Sequence, residues 1–161
     1  MMQNKAVFLD RDGTINVDTG YVYKKEDLQL LPGVLDALHI FQNAGYLLII
    51  VTNQSGVGRG FYTLDDVNRF NESLSLLLRE NDILLSDFYV CPHSPEDNCK
   101  CRKPSPYLLN KAMEEYDVDT QASFMFGDKD SDLKAGQNAG IPSYLVTAEH
   151  SLLYWAQSLI I

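Results

Sequence analysis

The sequence predicts an α/β protein: a doubly wound, Rossmann-like parallel sheet in three α/β/α layers. Three observations lead there. Short apolar runs alternate with amphipathic helical patterns along the chain, the signature of strands joined by covering helices. One run, Leu47 to Val51, is apolar at every position, as in a strand buried on both faces. Polar groups then collect where several runs end, the edge at which such sheets bind ligands. The 161 residues suit a single domain, 1–161, with no repeat, linker or low-complexity tract to divide it.

Taken in order, Val7-Phe8-Leu9 is the first strand, and Asp18 to Asp27 forms a loop or small hairpin flap. Pro32-Gly33 opens a helix with Val34, Leu35, Leu38 and Phe41 on one face and Gly45 as its stop. Leu47 to Val51 is the second strand. Thr63 with Asp66 three residues on reads as a capping box, starting a long helix through Glu80. Asp87 to Val90 is the third strand. Ser105-Pro106 reads as an N-cap with proline at the first helical position, and its helix runs to about Tyr116. A fourth strand, Ser123 to Phe126, precedes a helix from Ser131 to Ala139 that ends at Gly140. Ser143 to Val146 is the fifth strand, and a short closing helix reaches Trp155.

Composition narrows the function. With 45% hydrophobic and 22% charged residues the chain is an ordinary globular protein. A net charge of −9 argues against a broad nucleic-acid or anionic-membrane surface. No apolar run reaches transmembrane length and no signal region precedes the first strand, so a cytoplasmic protein, monomeric and without membrane or nucleic-acid partners, is expected.

The chemistry begins at Asp10-Arg11-Asp12-Gly13-Thr14. Residues two apart on a strand point the same way, so Asp10 and Asp12 aim at one site. Like charges so close need relief from a cation or a shared proton. The second strand ends in Thr52-Asn53-Gln54-Ser55-Gly56, short donors suited to phosphate oxygens. Arg102-Lys103 precedes the third long helix, and the fourth strand runs into Gly127-Asp128-Lys129-Asp130-Ser131-Asp132.

In order, Asp10-x-Asp12-Gly13-Thr14, Thr52, Lys103 and Gly127-Asp128-x-x-x-Asp132 resemble the four motifs of the haloacid dehalogenase superfamily of phosphatases. The resemblance implies that Asp10 is the nucleophile and Asp12 the general acid and base. It further implies that Thr52 and Lys103 hold the transferring phosphoryl group, and that Asp10, the Asp12 backbone carbonyl and Asp128 bind Mg2+. Phosphoryl transfer is largely positioning and charge neutralisation, and a hard cation with few carboxylate ligands suits magnesium. Asp132 either orients Lys103 or sits in the first turn of a helix. A signalling receiver domain places its phosphoaccepting Asp on a later strand. A catalytically dead interaction module is expected to lack Asp12 or Asp128.

All three cysteines lie in one proline-braced loop, Cys91-Pro92-His93-Ser94-Pro95-Glu96-Asp97-Asn98-Cys99-Lys100-Cys101. Cys91, His93, Cys99 and Cys101 offer four ligands for a closed tetrahedral zinc. A closed site leaves no position for substrate, so zinc is expected to be structural, holding the loop that delivers Arg102 and Lys103.

Neither the Thr14–Thr52 nor the Ser55–Lys103 interval has room for a cap domain. Uncapped members with such a loop fall into two similar families: phosphatases of D-glycero-D-manno-heptose 1,7-bisphosphate, which remove the 7-phosphate, and histidinol-phosphate phosphatases. The Asp10-to-Val22 stretch, Thr52 to Gly56 and Arg59-Gly60 resemble the first. That resemblance implies a small phosphorylated sugar as substrate. It implies contacts from Asp18, Thr19, Gly20, Tyr21, from Thr52, Asn53, Gln54, Ser55, and from Arg102, Lys103 and Lys129. The short gap between His93 and Cys99 resembles the second family, which stands as the alternative.

Overall fold

The computed structural model describes residues 3–160; Met1 and Met2 of the N-terminal reading, and Ile161, lie outside the described residues. Five strands, β1 (Ala6–Leu9), β2 (Leu47–Asn53), β3 (Asp87–Cys91), β4 (Phe124–Gly127) and β5 (Ser143–Leu145), form one sheet. Its order is β3-β2-β1-β4-β5 and every pair is parallel, with Leu9 opposite both Ile50 and Phe126. The helices are α1 (Val34–Asn43), α2 (Ser55–Gly58), α3 (Leu64–Glu80), α4 (Tyr107–Glu115), α5 (Asp130–Asn138) and α6 (Leu152–Leu159). The predicted doubly wound architecture is the one observed.

Strand alternation explains the three layers. On β1 and β2, Val7, Leu9, Leu48 and Ile50 face one side, where Leu38 and Phe41 of α1, Leu74 and Leu78 of α3 and Ala156 of α6 cover them. Ala6, Phe8, Ile49 and Val51 face the other, against Leu108, Leu109 and Ala112 of α4 and Ala135 of α5. Burial of both faces is what a continuous apolar strand requires. Because all five strands run the same way, their carboxyl ends share one edge.

Local chemistry sets the ends of the elements. The Thr63 hydroxyl accepts from the Asp66 backbone N–H at 3.1 Å, and the Asp66 carboxylate accepts from Thr63 N–H at 2.9 Å, the reciprocal box expected at the start of α3. The flap is closed by a hydrogen bond from Val17 N–H to the Gln29 carbonyl at 2.8 Å and by a bridge between Asn16 and Leu30. At α4 the cap differs from expectation. Pro106 occupies the N-cap, and Ser105 Oγ, one residue earlier, accepts from Tyr107 N–H at 3.2 Å. The one-turn α2 has no counterpart in the sequence reading, because Ser-Gly-Val-Gly carries no amphipathic repeat and two poor helix formers. It packs against the cysteine loop so closely that a Cβ on Gly58 would stand 2.6 Å from the backbone nitrogen of Ser94.

Candidate active site

The strand ends deliver the polar groups to a cleft of about 240 Å³, lined by Asp10, Asp12, Asp18, Gly20, Tyr21, Asn53, Gln54, Ser55, Tyr62, Arg102, Lys103, Lys129, Ser131 and Asp132. At its floor Lys103 is buried and its Nζ donates to Asp10 Oδ1 at 2.9 Å, to the Val51 carbonyl at 2.8 Å, and pairs with Asp132 Oδ1 at 2.6 Å. The other Asp132 oxygen accepts from Lys129 N–H at 3.1 Å, so this carboxylate both starts α5 and orients Lys103. The two readings of Asp132 are therefore both correct. Asn53 pins the backbone of Lys103 from across the edge, accepting from its N–H at 3.1 Å and donating to its carbonyl at 3.3 Å.

Asp10, Asp128 and Asp132 present carboxylate oxygens within 4.8 Å of one another. Burial pushes Asp10 up to about 8, an effect that Lys103 opposes and that Asp132 and Asp128 reinforce. Burial likewise raises Asp128. One oxygen of Asp128 is buried with no hydrogen-bond partner. Above it Gly13 sits at φ +84°, and a Cβ there would stand 2.2 Å from Asp128 Oδ2. An unpartnered buried carboxylate oxygen in a crowd of carboxylates fits a hard divalent cation, which would return Asp10 to its ionised form. Asp10 and Asp128 are the side chains free to hold it, since both Asp132 oxygens are engaged.

Asp12 points into a different set of partners. Its Oδ1 accepts from Arg11 Nε at 2.9 Å and Asn16 Nδ2 at 3.0 Å, and its Oδ2 from Arg11 Nη2 and Gln54 Nε2, both at 3.1 Å. Arg11 is fully buried, with its guanidinium 4.3 Å from the centre of the Phe70 ring and bonded to Asn71 Oδ1 and the Val22 carbonyl. Sequence reasoning passed over Arg11. Its only local sign is its position between the two aspartates; its partners on α3 and the flap appear only on folding. Thr52, buried at the end of β2, accepts from Gln54 Nε2 at 2.8 Å, which leaves its hydroxyl proton to donate elsewhere.

At the mouth, Asp18 Oδ1 accepts from Gly20 N–H at 2.9 Å, which turns the flap so that Tyr21 meets Phe61 edge to face at 4.8 Å. Thr19 is exposed and lies off the cleft lining. Arg102 lines the cleft with Nη1 buried and unpartnered, a cationic donor awaiting an anion. In the adjoining loop the three thiols converge, with Sγ separations of 3.5 Å for Cys91–Cys99, 2.6 Å for Cys91–Cys101 and 3.8 Å for Cys99–Cys101. All three are free of disulfides. Burial raises Cys91 and Cys101. Three soft donors around one point fit a zinc-type ion. His93 is exposed, outside the group whose donor atoms lie within 4.8 Å of one another.

Comparison with known proteins agrees with this geometry. Residues 100–152 match the family model of HAD-hydrolase-like proteins. The D-glycero-beta-D-manno-heptose-1,7-bisphosphate 7-phosphatase of Helicobacter pylori is 46% identical over 92% of this chain and 86% of its own length. The chain belongs to the family of heptose-1,7-bisphosphate 7-phosphatases. A member from Campylobacter jejuni, named for the alpha anomer, is 41% identical over 92% of this chain and 85% of its own. Among solved structures, a D,D-heptose 1,7-bisphosphate phosphatase from B. bronchiseptica complexed with magnesium and phosphate superposes with a TM-score of 0.90 at 30% identity. The alignment covers 96% of this chain and 97% of that one. The family is thus one of phosphate-ester hydrolases.

Proposed function

We propose that this phosphatase removes the 7-phosphate of D-glycero-D-manno-heptose 1,7-bisphosphate. The observation that carries the reading is buried Asp10. One of its oxygens is held by Lys103, and it is grouped with Asp128, one of whose buried oxygens has no hydrogen-bond partner. The ionised carboxylate of Asp10 attacks the phosphorus in line, the bond from phosphorus to the sugar oxygen breaks, and Asp12 gives its proton to the departing alkoxide. Water then attacks the aspartyl phosphate, Asp12 takes one of its protons, and the bond from phosphorus to Asp10 breaks to release inorganic phosphate. Lys103 and the Thr52 hydroxyl hold the phosphoryl oxygens through both steps. Asp10, the Asp12 backbone carbonyl and Asp128 would hold Mg2+, which when bound would neutralise charge on the nucleophile and the phosphoryl group.

The second phosphate supports the substrate assignment. With Lys103 committed to the reacting group, the unpartnered Arg102 Nη1 is free to bind a distant anion, and Lys129 adds a second positive charge at the same mouth. The flap from Asp18 to Tyr21 and the Ser55 hydroxyl border the space between, where sugar hydroxyls would lie. Cys91, Cys99 and Cys101 would hold a zinc ion in the loop, where its role would be structural; His93, outside that group, would join it only by moving. The deciding experiment measures kcat/KM for the heptose bisphosphate and for histidinol phosphate with Mg2+ present. A clear preference for the bisphosphate is expected; a higher kcat/KM for histidinol phosphate overturns the reading.

A further inference from the structure

Tyr62 lies among the cleft-lining residues, one short helix on from the end of β2, and its hydroxyl turns to Gln54. Tyr62 is buried, and its OH donates to Gln54 Oε1 at 2.7 Å. The Gln54 amide nitrogen, on the opposite side, donates both to Asp12 Oδ2 at 3.1 Å and to Thr52 Oγ1 at 2.8 Å. Gln54 is itself buried, so each polar atom of its side chain is committed inside the protein. The Asp12 oxygen that faces Gln54, Oδ2, is an acceptor in this contact and therefore requires the NH2 end of the amide. With the amide reversed, a carbonyl oxygen would face the carboxylate and the NH2 would face the tyrosine. The Asp12 carboxylate sets this orientation, and the tyrosine hydroxyl, by donating to Oε1, reinforces it and fixes the amide in place. Burial pushes Tyr62 up to about 12, so it keeps that proton throughout the working range.

Two further contacts hold Tyr62 in place. Gly56 leaves room for it, since a Cβ there would stand 2.2 Å from Tyr62 Cε2. Tyr23 of the flap stacks on its ring at 4.7 Å, with the planes 17° apart. The hydroxyl is thus fixed from β2–α2 on one side and from the flap on the other.

We propose that Tyr62 is a positioning residue for catalysis: by orienting the Gln54 amide, it holds the general acid Asp12 where it can serve the leaving group. The proposal rests on Asp12 being that acid. Gln54 is then a relay inside the protein, and its contribution to the reaction runs through Asp12 and Thr52.

The test separates leaving groups by their need for a proton. Single-turnover phosphoryl transfer is measured with Mg2+ on heptose 1,7-bisphosphate, whose alkoxide needs protonation, and on 4-nitrophenyl phosphate, whose phenolate does not. Tyr62→Phe is expected to slow the sugar phosphate about tenfold, a fraction of the 10²–10⁴ that general acid catalysis contributes, and the aryl phosphate less than about twofold. Equal slowing on both substrates, or none on the sugar, overturns the proposal. Gln54→Met, which also takes the donor from Thr52, should slow both substrates and the sugar phosphate the more, and the double variant Gln54→Met/Tyr62→Phe should be no slower on either than Gln54→Met alone. It also leaves neither partner's polar group buried unpaired, which covers the case in which Tyr62→Phe folds poorly. Additive losses would mean that Tyr62 acts by another route. Asp12→Asn is the reference: it must slow the sugar phosphate far more than the aryl phosphate. If it does not, the assignment of Asp12 fails; if it does while Tyr62→Phe is neutral, only the role of Tyr62 fails.

Discussion

Asp10 shares its surroundings with two further carboxylates and a single ammonium, Lys103, and that imbalance governs what substitutions do. Asp10→Asn removes one negative charge and the nucleophile at once. Phosphate release is expected to vanish, while the melting temperature without magnesium stays at or above that of the parent. Any turnover by the folded variant contradicts the role of Asp10. Gly13 poses the opposite case. At φ +84° an alanine is strained by roughly 1–2 kcal/mol, and its Cβ would stand 2.2 Å from the Asp128 carboxylate. Gly13→Ala should therefore displace Asp128, weaken magnesium binding and lower kcat about a hundredfold, as a magnesium titration of activity would read. Asp10 was legible as a candidate nucleophile because it opens a short contiguous motif with Asp12 and Gly13, whereas the closeness of Gly13 to Asp128, 115 residues on, arises only on folding. Arg11 was not legible, because its burial depends on Val22, Phe70 and Asn71, brought together only by the fold.

Among the elements, the cysteine loop links sequence to site most directly. It leaves β3 at Cys91, turns at Pro95–Asp97 where the Asp97 carboxylate accepts from Ser94 N–H at 2.8 Å, and returns to the cleft at Arg102 and Lys103. Since metal-binding energy in such a loop is also folding energy, Cys99→Ser should lose zinc and about 3 kcal/mol of stability, some 6–12 °C in melting temperature. Activity should fall with it, because Lys103 hangs from the same loop. Metal analysis and calorimetry check this together; full stability with no activity would instead point to a catalytic zinc. The clustering of cysteines made the loop readable, whereas the outward placement of His93 and the one-turn α2 carry no periodic signal. The capping box at Thr63 was readable because both halves lie within four residues. The cap of α4 was displaced by one residue because Pro106 lacks the N–H and Ser105 reaches Tyr107 regardless.

For the molecule as a whole, alternating strands and helices imply a parallel sheet, but the strand order β3-β2-β1-β4-β5 depends on which way each crossover turns. The chain winds outward from β1 to β3, then returns past β1 to add β4 and β5, and the cleft opens at the carboxyl ends beside that reversal. A protein of net charge −9 thereby gathers Arg102, Lys103 and Lys129 in a single cleft for an anionic substrate. Among the described residues no cap closes over it, which leaves a second phosphate to be recognised by the edge itself. Arg102 is placed to do so, since its Nη1 is buried and bonded to nothing. Arg102→Ala should leave 4-nitrophenyl phosphate nearly unaffected, because that molecule carries a single phosphate and Lys103 already holds it. The bisphosphate should lose roughly 2 kcal/mol of transition-state binding, about thirtyfold in kcat/KM, the lower end for a desolvated charge pair because water still reaches the mouth. Equal loss on both substrates would place Arg102 on the reacting phosphoryl group, and no loss on the bisphosphate would leave the second phosphate to Lys129.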